Sequence, residues 1–548
     1  MRKMKKIGAA ILAAAMAVGM LSGCGGSGSD SGSSDSAESK TLNFGCFVYS
    51  NNFDPAIDQN SAWMCLRLGI GECLFKFDEE MVPQYQLCDD YTANEDYTVH
   101  TLHIKDGVKF SNGNDCDAQA VADSLNRLFT VTNSDNTLYG TTASEYLDFA
   151  SCEVDAESNS VIITTNTPDK NLEGNLCFPY YAIIDVNGDT ADSELSTATS
   201  AGYAPVDVVG TGPYDCTEFD DTTSNGTLTA NEYYWKEEVP YDTVNFIHYA
   251  EADKKAMSLK NGEIDLTENI TTTQDLETLM NDDAYYVSQI PSVRSGFAYV
   301  NFDGVLGKNE SLRQAVMMAV DGQTMCDVTV GGMYTYGYAV LPSSLSYDYD
   351  ALNYKFGYDV DGAKKLLDDA GLVDTDGDGV RELDGKNIDL EFVTYVNRCL
   401  DDFAQAVQTS LTAVGIGCTV TVVDDQSLWD ELEKGNYDLL NCNWTTVGVG
   451  DPTKYMLNWY GAKNNSANYC AYVNEEYDAL YDKFIASDDD EEKADLIIQM
   501  EQILLDDAAV LVHGYYNSSM ISNASKVTGA DIRPIDYYWL TTDIKPAE

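Results

Sequence analysis

Three carboxylates alternate in Asp374-Thr375-Asp376-Gly377-Asp378-Gly379, the oxygen spacing of a calcium loop. Such a loop needs a glutamate at its twelfth position, which here is Gly385, so Glu382 would have to serve from elsewhere. A structural calcium at Asp374, Asp376 and Asp378 is one expectation; a solvated acidic turn is the plainer one. Catalytic sets are harder to find. The 90 acidic residues guarantee chance pairs of carboxylates, and no pair stands out. His100, His103, His248 and His513 are the 4 histidines. His100 and His103 fall on opposite faces of one predicted strand and cannot share a metal from it. No GxSxG, HExxH or CxxC motif occurs. Val-Gly-Thr-Gly-Pro-Tyr at 209–214 is not followed by the lysine and amphipathic helix of a phosphate cradle, and reads as a tight reversal. The expectation is a protein that is not an enzyme and carries no cofactor beyond that calcium.

Binding chemistry is better represented. The chain has 36 tyrosines, 17 phenylalanines and 6 tryptophans, many tyrosines falling in predicted loops. A tyrosine ring gives a rigid apolar face and one hydroxyl, which suits a pocket that holds a ligand without reacting it. Lys and Arg number 32 against those 90 acids, a formal net charge of −58, so no basic patch is available for nucleic acid. The 14 cysteines show no zinc spacing, and most sit in apolar strings as small hydrophobes.

These residues need a scaffold. A basic head at 2–6, an apolar run at 7–21 and Leu21-Ser22-Gly23-Cys24 look like the signal and lipobox of bacterial lipoproteins. That likeness implies cleavage after residue 23 and a diacylated Cys24 that anchors the chain outside the cytoplasm. Gly, Ser and Asp dominate 25–40, which reads as a flexible leash. Roughly 500 residues remain, enough for two or three domains. The pattern at 97–129 predicts strand, Asp-Gly turn, short strand, Asn-Gly turn and a helix capped by Asp117. An apolar helix is expected over 63–74, and α/β alternation from 388 to 442.

The order of motifs resembles the extracellular solute-binding proteins of family 5, the oligopeptide-, dipeptide- and nickel-binding lipoproteins of ABC importers. The matching stretches are FDPA at 53–56, YTVHTLHIKDGVKFSNG at 97–113, VGTGPY at 209–214, LTANEYYW at 228–235, LKNGEIDL at 259–266 and LRQAVMMAVD at 312–321. The resemblance implies an α/β fold, a two-lobed periplasmic-binding-protein clamp of the large class C type. Lobe I would span 41–300 with an outer subdomain near 83–206, lobe II 301–516, and 517–548 would return to lobe I. Implied partners are membrane permease subunits and a small solute held by a monomer. A peptide is the expected solute; an oligosaccharide, metal chelate or opine-like compound is the alternative, and an enzyme or adhesion protein ranks behind both. Peptide-binding members carry an aspartate four residues before the proline of a W…DP segment, to hold the ligand's ammonium. That position is Gly448 here, with Asp451 next to Pro452. Arg294 is the candidate for a ligand carboxylate; Tyr49, Trp444, Asp451 and His513 are the other candidate cleft residues.

Overall fold

The computed structural model describes residues 40–186, 203–345, 347–461, 465–487 and 489–548. The signal, Cys24 and the leash up to residue 39 lie outside the described residues, as does 187–202 of the expected outer subdomain. No helix among the described residues is long and apolar enough to cross a membrane.

Two strands organise the body. Tyr285–Val300 and Val510–Asn523 pair antiparallel along nearly their whole length, with the ladder shifting between Pro291 and Ser295. On one side of them lie Leu439–Thr445, Asp389–Tyr395 and Gly417–Val423; on the other lie Leu266–Glu268, Thr41–Cys46, Thr243–His248, Asn225–Ala230 and Tyr214–Asp220. The first group joins parallel neighbours through the helices Leu400–Ala413 and Asp425–Lys434, because parallel strands need crossovers and helices supply them. This is the alternation expected over 388–442.

Each side buries its own apolar core. One core takes in Phe44, Met64, Leu125, Phe246 and Trp539; the other takes in Leu259, Phe297, Val316, Phe403, Trp459 and Met500. The sequence suggests short strands near 297 and 510. The observed strands run to 16 and 14 residues because their outer halves hold polar runs such as Ser288-Gln289 and Asn517-Ser518-Ser519, which break the alternation that marks a strand.

The stretch 97–129 takes the turns its residues dictate, but the short strand expected between them is reduced to a single bridge, Lys109 to Asp115. Val99–Ile104 enters a four-stranded sheet ordered Cys88–Ala93, Val99–Ile104, Ser160–Thr165, Phe149–Asp155. Gly107 and Gly113 take φ of 79° and 87° in the two turns, a backbone region that suits glycine. Asp117 accepts the Ala120 N–H at 3.0 Å and caps the helix Ala118–Thr132. Arg127 on that helix is buried and grips Asp54 of the 53–56 motif with two bonds, 3.0 and 2.6 Å.

The helix expected over 63–74 is instead Gln59–Arg67, ended by Gly69 at φ 68°. The freed segment passes under Gly210 and Gly212, where a Cβ would meet the Ile70 and Gly69 carbonyl oxygens at 2.1 and 2.2 Å. Close approach is therefore what 209–214 is for. Glu72, buried beside it, accepts hydrogen bonds from Gln86, Thr211 and Trp235.

The 13 cysteines in the described residues are all free, and all but Cys399 and Cys418 are buried. Burial pushes the Cys65 thiol up to about 12, so it stays protonated and behaves as an apolar group.

Two buried acids behave oppositely. Asp54 is paired with Arg127, so Arg127→Ala strands a buried carboxylate and is expected to cost about 3–5 kcal/mol in urea unfolding. Among the described residues no cation pairs with Glu501; it accepts the Leu341 N–H at 2.8 Å, and burial raises its carboxyl to about 8. A raised carboxyl is fully stabilising below its unfolded value near 4.5 and loses that contribution as pH rises through 8. Glu501→Gln, which mimics the protonated acid, should therefore gain stability on the wild type between pH 5 and pH 8, by up to about 1.4 kcal/mol per unit. A flat difference across that range in denaturant melts would contradict this.

Candidate functional site

Trp63 and Arg67 stand four residues apart on the helix Gln59–Arg67, so they share one face. That face meets the returning chain near the C-terminus. Arg67 is fully buried and donates twice to Asp536, from Nε to the backbone carbonyl and from Nη2 to Oδ2, both at 2.7 Å. Its guanidinium carbon lies 4.7 Å from the Trp63 ring, 4.4 Å from Trp539 and 5.0 Å from Tyr49.

Two more arginines lie in the field of the same carboxylate, one of them in contact with it. Arg294, at the ladder shift of the long strand, donates to Asp536 Oδ1 at 3.4 Å and lies 5.5 Å from the Trp63 ring. Arg398 follows the strand Asp389–Tyr395 and lies 5.5 Å from the Tyr516 ring. Arg398 and Cys399 take φ of 49° and 58°, an uncommon left-handed pair that turns the chain here. Among the described residues no carboxylate lies within ion-pair distance of Arg398.

The electrostatics follow from this count of charges. Burial by itself would raise Asp536, but Arg294, Arg67 and Arg398 outweigh it and hold the carboxyl well below its ordinary range. Burial pulls Arg294 down, with Arg398 and Arg67 adding to the effect and Asp536 opposing it. Burial also works against Arg398, yet Tyr49, Tyr516 and Asp536 prevail and keep its charge. Two buried guanidiniums thus share one carboxylate, with a third, half-buried one in its field.

Unused donors surround it. Arg67 Nη1, Trp63 Nε1 and Trp539 Nε1 are buried and donate to no acceptor among the described residues. Buried N–H groups are normally satisfied, so this set of orphan donors marks the surroundings of Asp536 as the candidate site.

Of the residues singled out from sequence, Arg294 and Tyr49 are in this cluster. Trp444 faces Ser295 across the ladder and packs against Phe297, Tyr299, Trp429 and Tyr469. Asp451 accepts the Thr453 N–H at 2.8 Å in a local turn. A side chain at Gly448 would press on the Tyr537 hydroxyl, 3.2 Å from its Cβ. His513 is a core residue, stacked on Phe403 at 4.7 Å and 2.7 Å from Asn441 Oδ1. Asn441 uses its amide hydrogens on Thr394 and Leu400, so His513 Nε2 is the donor, and burial lowers its pKa to about 3. Arg67, Arg398 and Asp536 escaped the sequence analysis. The available signal was an arginine inside an apolar helical run, a position that demands a buried partner.

The acidic loop lies elsewhere. Asp374, Asp376 and Glu382 bring one oxygen each within 4.8 Å of one another, a set that suits a hard cation without specifying calcium. Asp378 is turned instead to the Val380 N–H and Asn387.

Comparison with known proteins is consistent across sequence and fold. The family described as bacterial extracellular solute-binding proteins, family 5, matches residues 82–467. The chain is 23% identical over 453 residues to the probable D,D-dipeptide-binding periplasmic protein DdpA of Escherichia coli, covering 82% of each. It is 25% identical over 443 residues to the glutathione-binding protein GsiB of Salmonella paratyphi A, covering 79% of this chain and 80% of that one. Among solved structures, NikA from Brucella suis in complex with Fe(III)-EDTA superposes with a TM-score of 0.80 at 20% identity, over 92% of this chain and 99% of that one.

Asp536→Asn leaves Arg67 and Arg294 buried without a counter-charge. It is expected to lower stability by about 3–5 kcal/mol, and added citrate should restore much of that in thermal melts. In the wild type, a depressed carboxyl stabilises above its unfolded value near 3.9, and that contribution fades as pH falls below it.

Proposed function

We propose that this chain, which belongs to the bacterial extracellular solute-binding proteins of family 5, clamps a small solute carrying at least two carboxylates between Arg67, Arg294 and Arg398. As a member of that family it is an extracytoplasmic binding protein of an ABC importer, with the two-lobed clamp fold. Its relatives are solute-binding proteins and not enzymes.

The observation that carries the proposal is the excess of buried cation and orphan donors around Asp536. Burying unpaired charge is expensive, and a guest with two carboxylates offsets that cost with bidentate guanidinium contacts. Glutathione, for which one relative is named, and EDTA, present as its Fe(III) complex in one similar structure, both carry several carboxylates. A peptide with one free carboxyl group satisfies the arginines less fully, and Gly448 offers its ammonium no partner. The polycarboxylate or metal-chelate reading is therefore preferred to a simple oligopeptide. Closure would bring Arg398, beside the second core, onto Asp536 and Tyr49, beside the first, with the paired long strands as the connection. The guest then favours the closed clamp because it contacts both lobes.

Mass spectrometry of the gently purified protein should reveal a co-purified polycarboxylate. In calorimetry citrate should bind, its neutral triamide should not, and Arg398→Met should weaken citrate by about 2 kcal/mol, some thirtyfold. Recovery of a neutral oligosaccharide, or equal binding of citrate and its amide, would defeat the proposal.

A further inference from the structure

The loop after the strand Leu439–Thr445 is an apolar tongue. It runs Thr446-Val447-Gly448-Val449-Gly450 and turns on one bond, from the Gly450 N–H to the Val447 carbonyl at 3.0 Å, with Gly450 at φ 84°. A turn of this kind normally lies on the surface and carries polar side chains. Here Val447 and Val449 are buried, and both belong to the first core. Leu439, Leu440 and Cys442 before them, and Tyr455, Met456 and Trp459 after them, belong to the second. The chain therefore leaves one core, sets two side chains into the other and returns.

The seat is shaped to receive backbone. A Cβ at Gly174 would meet the Val449 carbonyl oxygen at 2.2 Å, and Asn171 Nδ2 donates to the same oxygen at 2.9 Å. The Tyr537 hydroxyl donates to the Gly448 carbonyl at 3.1 Å, and a Cβ at Gly450 would stand 3.0 Å from the Phe77 ring. Leu172, Leu176 and Phe77 around this seat are residues of the first core.

The tongue also grips the neighbours of the charged cluster. Thr446, at its base, gives its N–H and its hydroxyl to the Val293 carbonyl, both at 2.9 Å, inside the ladder shift and one residue before Arg294. Tyr537 follows Asp536, and its ring lies 5.7 Å from that of Trp63. A seated tongue thus fixes the residue before Arg294 and the residue after Asp536, the two groups that meet at 3.4 Å.

We propose that 446–450 is a latch: its valines enter the seat beside Gly174 as the clamp closes, and in doing so they hold Arg294 against Asp536. Thr446, Val449 and Tyr537 are positioning residues on this account. The latch favours the closed form with no guest present, so part of the population is closed before a solute arrives, and a solute that needs the closed form binds more tightly. Only this last effect rests on the proposed arginine site.

Gly174→Leu blocks the seat and Val449→Ser removes the apolar knob. Small-angle scattering of the full chain without added solute should give both variants a larger radius of gyration than the wild type, and calorimetry should show citrate weakened about tenfold in each. Val449→Ile, which keeps an apolar side chain, should keep the wild-type radius and affinity. Circular dichroism checks folding. Asn171→Ala loses one bond to the tongue at a partly exposed residue and supplies the same comparison, with a smaller effect, where a core variant does not fold. Folded variants that melt earlier but keep the wild-type radius overturn the latch, because loss of core packing alone does not open a clamp. Variants that expand while even the wild type fails to bind citrate strike only the anion reading; equal radii with citrate bound equally by all strike only the latch.

Discussion

The Asp536 carboxylate is the constraint on which the site depends. It is one anion in the field of three guanidiniums from different parts of the chain: Arg67 on a helix and Arg294 on the long strand pair with it, and Arg398 on a turn acts from beyond ion-pair distance. Remove it and buried cations repel one another in a space with little water to screen them. Keep it and the cluster is held together yet undercompensated. That imbalance is what the proposed binding reading rests on. The Asp54–Arg127 pair shows the contrast, since there one carboxylate meets one guanidinium with two bonds.

The scaffold serves that cluster by fixing its three approaches. Gly210 and Gly212 let the segment after Arg67 lie against backbone, and Glu72 ties the same segment to Thr211 and Trp235. The paired strands Tyr285–Val300 and Val510–Asn523 carry Arg294 at the place where their register shifts, next to Ser295. Arg398 sits on a left-handed turn whose backbone cost of order 1–3 kcal/mol is characteristic of functional positions.

Much of this was legible in the residue order. Asp117 announced its helix, the Asp-Gly and Asn-Gly pairs their turns, and the 388–442 rhythm its parallel strands, because each is a local rule acting over a few residues. The length of Val510–Asn523 was not legible, since half of it is polar and pairs with a strand more than 200 residues away. Arg294 and Tyr49 could be picked out, the first as the cation suited to a ligand carboxylate. Arg67 and Asp536 are 469 residues apart, and no periodicity encodes such a meeting. The acidic loop lies between these cases: the residue types were visible, but the structure gathers Glu382 with Asp374 and Asp376 and leaves Asp378 aside.

A protein of net charge −58 with arginines gathered at Asp536 presents two opposite fields to any anion. For the proposed polycarboxylate guest, the acidic surface would repel at long range and attraction would take over only beside the arginines, so capture would be a barrier crossing and not a steered collision. Salt screens the outer field over about 10 Å at 0.1 M but reaches buried pairs poorly. Rising ionic strength would then quicken the arrival of such a guest more than it loosens the guest's hold.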